Sequence, residues 1–210
     1  MLHQRFYFSY PKHYKSFIHY LIMNFQFYLE KLFASPNFQG FLKENPDAYP
    51  CSGFFVIDKE NLTPLGVYPK GHKPKDTEFK GKENKQHFDY YVPSINKMFS
   101  FQLESGCEKV PIDILNNKIP EKISMNYNFD FNKVEKLIES KMFEEKINNK
   151  LQKILLSLQK VDNKDYLVGT VFISGLGMLN VRINVSEMKV VLFEKKSFFD
   201  MLSIKKKEED

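Results

Sequence analysis

Cys51, Ser52 and Gly53 open an apolar run that ends at Asp58, and they are the residues of this chain best suited to covalent chemistry. A thiol or hydroxyl becomes a nucleophile when a base takes its proton and a carboxylate orients that base. His72 or His87 can supply the base, and Asp58 or Asp89 the carboxylate. The placement argues against the assignment, because a nucleophile usually follows a strand at a sharp turn and Cys51 precedes the apolar run. A small buried hydrophobe is the plainer role for this cysteine. Asp58, Asp89, Glu104 and Glu108 fall near expected strand ends, but acid–base pairing depends on separations that only folding sets. No catalytic residue is assigned.

Metal and phosphate chemistry fare no better. The chain has no Cys-x-x-Cys pair, no His-x-x-x-His helix and no calcium loop, and His13 and His19 point to different faces of a helix. Ser174-Gly-Leu-Gly177 follows a strand-like run but leads into another rather than into a helix N-terminus. It reads as a tight turn in which Gly175 and Gly177 permit positive φ. No metal or cofactor is expected.

The strongest contact candidate is a lysine-rich loop. Between Lys70 and Lys85 six lysines stand against Asp76, Glu78 and Glu83, a net charge of +3. Lys73, Lys75, Lys80, Lys82 and Lys85 can hold a phosphate backbone while Phe79 stacks on a base, so nucleic acid enters as a partner class. A solvated hairpin loop explains the same composition. The whole chain carries 31 basic and 26 acidic residues, a modest +5, and its only arginines are Arg5 and Arg182. Bidentate readout of guanine or phosphate is therefore nearly absent.

The elements that must position these groups follow from periodicity. The chain has 210 residues, 42% of them hydrophobic, long enough for one core without disulfide staples. Its two cysteines suit a reducing compartment, and a cytoplasmic location without a membrane span is expected. The sequons Asn61-Leu-Thr63 and Asn184-Val-Ser186 are discounted, since no secretion signal accompanies them. Residues 12–34 space apolar side chains by threes and fours, predicting an aromatic-rich helix stopped by Ser35-Pro36, with a short helix over 36–44. Strands are predicted over 51–58, 62–68, 88–92, 98–103 and 110–114. From Phe131 to Val161 a long helix is predicted, opened by Asn132 and Glu135, with Asn148-Asn149 as a break. Ile147, Leu151, Ile154, Leu158 and Val161 form its apolar seam. A three-stranded meander over 166–173, 178–184 and 189–193 and a short helix over 197–202 complete the chain.

The fold class expected is α+β: a mainly antiparallel sheet packed by the long amphipathic helix and the N-terminal aromatic helix. Residues 1–204 form one domain, with 116–128 as the place where two subdomains would divide, and 205–210 are a frayed charged tail. The functional expectation is a non-catalytic protein-interaction or assembly module, self-associating through an apolar helix face. Phe17, Tyr20, Phe27 and Tyr28 on the first helix and Ile147, Leu151, Ile154 and Leu158 on the second are its interface candidates. The alternatives are a nucleic-acid accessory protein acting through the lysine loop and a small cysteine- or carboxylate-dependent enzyme.

Overall fold

The computed structural model describes residues 24–59, 85–104, 106–114 and 118–197. Two short helices, α1 (Phe25–Phe33) and α2 (Pro36–Glu44), lead into four strands, β1 (Tyr49–Asp58), β2 (Gln86–Val92), β3 (Lys97–Gln102) and β4 (Glu108–Ile112). A third helix, α3 (Phe131–Glu144), leads into four more, β5 (Leu151–Val161), β6 (Lys164–Ile173), β7 (Gly177–Asn184) and β8 (Lys189–Ser197). All eight make one antiparallel sheet in the order β4-β3-β2-β1-β5-β6-β7-β8. The α+β class is as expected. Each meander runs outward from the central β1–β5 pair, and the two leading helices meet at their starts. Asn24 and Asp130, their N-caps, form an antiparallel bridge, and the Phe25 amide donates to the Phe129 carbonyl at 3.0 Å.

The helices start where side chains can accept orphan amides. Asn24 accepts from the Phe27 amide, Ser35 from Phe38 with Pro36 at the first helical position, and Asp130 from Asn132 at 2.8 Å. The cap of α3 is thus Asp130 and not Asn132. The core lies between the helices and one sheet face, and aromatic rings dominate it. Phe25 meets the Phe55 and Phe88 rings edge-on and stacks on Phe129 at 4.9 Å, while Phe38 meets Tyr90 and Phe101 edge-on, also at 4.9 Å. Edge and offset geometries match the ring quadrupoles and add about 0.5–1.5 kcal/mol per pair beyond area burial.

The long helix expected over 131–161 is corrected. It ends at Glu144, and its supposed second half is strand β5, paired on both sides. The stop is a Schellman arrangement: the Ile147 amide donates to Met142 O at 2.8 Å and the Lys146 amide to Phe143 O at 3.0 Å, with Lys146 at φ 57°. Lysine occupies the left-handed position where glycine would have signalled the end. Beyond it, Ile154, Leu156 and Leu158 step by two and face the core, while Leu155 on the opposite face disguises the alternation. Of the N-terminal helix, only 25–33 is described. The predicted strand 62–68 and the lysine loop as far as 84 lie outside the described residues, as do 198–202, whereas Ser197 ends β8 instead of starting a helix.

Two glycines lie at close approaches, Gly169 against backbone and Gly177 against a side chain. A Cβ on Gly169 in β6 would sit 1.9 Å from the Leu155 carbonyl oxygen, and one on Gly177 would meet Ile173 Cγ1 at 2.8 Å. Positive φ belongs to Gly175 (+76°) and Leu176 (+59°) of the β6–β7 turn, so Gly177 does not serve the backbone role expected of it.

Candidate functional site

Strand register sorts every side chain to one face. Gly53, Phe55 and Ile57 of β1 face the helices, so Ser52, Phe54, Val56 and Asp58 face away, as do their partners His87 and Asp89 on β2 and Ser157, Leu155 and Lys153 on β5. Among the described residues no helix lies on that outer face. A register shift between Pro50 and Ser52 puts Cys51 there as well. The crossover from β4 toward α3 passes over this end of β1: Tyr49 Oη donates to Pro120 O at 2.9 Å, and the Ile123 amide to Pro50 O at 3.0 Å. Strand and crossover enclose a cleft of about 500 Å³, with Ser52, Phe54, His87 and Asp89 on its sheet side and Ile119 and Pro120 on its crossover side.

The structure brings Cys51, Ser52, His87 and Asp89 together, yet in the wrong order for a nucleophile. Cys51 Sγ donates to the Asp89 backbone carbonyl at 3.3 Å rather than to an imidazole. Burial first, and the nearby Asp89 charge second, push its thiol up to about 12, so it is held as the protonated thiol. Ser52 Oγ donates to Asp89 Oδ2, and His87 Nε2 stands 3.8 Å from Asp89 Oδ1, so the carboxylate lies between hydroxyl and imidazole where a triad needs the imidazole. The His87 ring stacks on Phe54 at 5.0 Å. Asp58 faces Lys153 at 3.4 Å, far from any orienting role for His87. Glu104 accepts from the Gln86 amide at 2.9 Å, and Glu108 is exposed on edge strand β4.

The interface candidates divide. Tyr28, Leu151, Ile154 and Leu158 are buried core side chains, and Ile147 packs against the core, so they fill the interior and present no docking face. Phe27 is exposed; Phe17 and Tyr20 lie outside the described residues. Of the lysine-loop set, Lys73, Lys75, Phe79, Lys80 and Lys82 also lie outside them, and Lys85 is exposed just before β2. Asn184, first residue of a sequon, is buried and accepts from Ser186 Oγ at 2.8 Å within the β7–β8 turn. Arg182 lies on the outer face with its guanidinium 5.7 Å from the Tyr166 ring centre.

One group escaped sequence reasoning. Asp165, buried at the β5–β6 hairpin, accepts at Oδ2 from the Ser124 amide and from Tyr127 Oη, both at 2.8 Å, and Lys160 Nζ stands 3.3 Å from Oδ1. It latches the crossover to the sheet. Burial and the Asp165 carboxylate push the Tyr127 phenol up to about 12. The Ser124 and Tyr127 partners of Asp165 are about forty residues away in sequence, and no local pattern marks them.

No known protein family matches the chain, and no curated protein does. Among solved structures, a crystal structure from Clostridium difficile 630 described as a "putative lipoprotein" is similar over 76% of this chain and 90% of that one, at 10% identity and a TM-score of 0.47. Likeness at that level transfers neither fold nor function.

Proposed function

We propose that the chain is a non-catalytic protein-interaction module whose contact surface is the outer face of its sheet, the one no helix among the described residues covers, and that its partner is a different polypeptide. One observation carries this reading. An antiparallel sheet that faces water ordinarily shows it polar side chains. Here Phe54, Leu155, Val168, Phe172 and Leu192, all half-buried, alternate on the outer face with Ser157, Thr170, Asn180 and Arg182. Apolar area interleaved with polar side chains is the composition of a contact surface. The protonated, backbone-bonded thiol of Cys51 speaks against the cysteine enzyme.

The test places a photo-crosslinking residue at Thr170 on the outer face and, separately, at Lys136 on the exposed side of α3. The expected result is a discrete heterologous adduct at position 170 that is lost on Val168→Asp, with a monomer by light scattering at low and at about 500 mM salt. An adduct formed only at position 136 overturns the reading. A dimer abolished by Val168→Asp makes a second copy the partner and overturns the heterologous assignment.

A further inference from the structure

We propose that the cleft beside β1 receives a cationic side chain, a lysine or arginine of the partner, with Asp89 as its counter-charge. The inference rests on the interaction reading above and gives that partner its chemistry.

Asp89 is only 8% exposed, and its two oxygens differ. Oδ2 accepts the Ser52 hydroxyl, while Oδ1 is buried with no hydrogen-bond donor among the described residues. The His87 nitrogen at 3.8 Å is beyond hydrogen-bond reach. Buried carboxylate oxygens are ordinarily satisfied, and one without a donor is an acceptor waiting for a ligand that brings N–H groups and positive charge.

The charge around the cleft points the same way. Asp113 and Glu121 line it with Asp89, and the cations against them are Lys118 and Lys160. Lys160 is engaged by Asp165 at 3.3 Å, which among the described residues leaves three carboxylates lining the cleft with Lys118 and the His87 ring. The walls suit the rest of a long basic side chain. Phe54, Met98, Ile112 and Ile119 line an apolar path for an aliphatic stem. At about 500 Å³ the cleft holds one such side chain with its flanking backbone. Entry requires the His87 ring, 27% exposed on its side chain, to turn away from Asp89.

The experiment titrates the full-length 15N-labelled chain with the peptide acetyl-Leu-Arg-Leu-amide and with its citrulline counterpart, which keeps the shape of arginine and removes the charge. At roughly ten millimolar peptide, a single charge-assisted contact in the millimolar range is readable. Expected are saturable shifts of the Ser52, His87 and Asp89 amides with the arginine peptide and at least tenfold weaker binding of the citrulline peptide. Asp89→Asn should weaken arginine binding at least tenfold, and Asp113→Asn, at an exposed position where folding is not at stake, by about two- to threefold. Equal binding of both peptides, or no shift at these amides, overturns the cation site. If the outer-face adduct forms while the arginine peptide fails, the inference falls and the interaction reading stands; if the peptide binds while no adduct forms, the cleft is a cation site and the polypeptide partner falls.

Discussion

The thiol of Cys51 offers the sharpest check on the site's chemistry. The perturbation is to make it the sole thiol with Cys107→Ser and expose the folded chain to a disulfide reagent such as Ellman's at pH 8. Only the thiolate reacts. A thiol at about 12 is roughly one part in 10⁴ ionised at pH 8, whereas an unperturbed cysteine near 8.5 is about a quarter ionised. Ionisation alone therefore slows labelling by about three orders of magnitude. Access slows it further, because Cys51 is 4% exposed and its Sγ is turned to the Asp89 carbonyl. The assay follows absorbance of the released thiolate and takes the rate in urea as the unperturbed standard. Labelling of the folded chain within about tenfold of the urea rate would refute both the protonated state and the non-catalytic reading. The same shift carries a pH signature. Since the folded thiol titrates far above the unfolded one, its contribution to stability is intact below about pH 8.5 and is lost progressively as pH rises toward about 12. Tyr127 acts in the same direction between about 10 and 12, so alkaline unfolding should begin before either group is ionised in the folded chain.

Two further outcomes concern the frame that holds the cleft. Gly169→Ala places a methyl against the Leu155 carbonyl and should cost about 1–3 kcal/mol in urea unfolding, with an unchanged midpoint refuting the close approach. Asp165→Ala removes the acceptor of the Ser124 amide and the Tyr127 hydroxyl and should cost about 3 kcal/mol. Tyr127→Phe removes one of those bonds and should cost about 1 kcal/mol, and a larger loss from Tyr127→Phe than from Asp165→Ala would contradict the latch.

What the sequence determined by itself is the material of local order. The alternation of Leu179, Val181 and Ile183 with Asn180, Arg182 and Asn184 specifies a strand with one dry face, and β7 has it. The run from Cys51 to Asp58 reads as a central strand and lies in the middle of the sheet. Ser35-Pro36 ends one helix and caps the next because a proline without an amide fits only the first turn. Where two periods coincide, local reading fails. Ile154 and Leu158 suit a spacing of four as well as one of two, and the neighbours that choose between them, Ile57 and Gly53 on β1, are some hundred residues away. Lys146, in a backbone conformation that favours glycine, hid the boundary that would have settled it. The candidate site follows the same division. Cys51, His87 and Asp89 were legible as chemically able residues, but their order in space was not. Pairing of β1 with β2 sets Ser52 opposite Asp89, and the crossover pinned by Tyr49 and Asp165 closes the cleft over them. These contacts join segments distant in the chain, and their geometry exists only once the sheet has formed, which is why tertiary structure alone decided it.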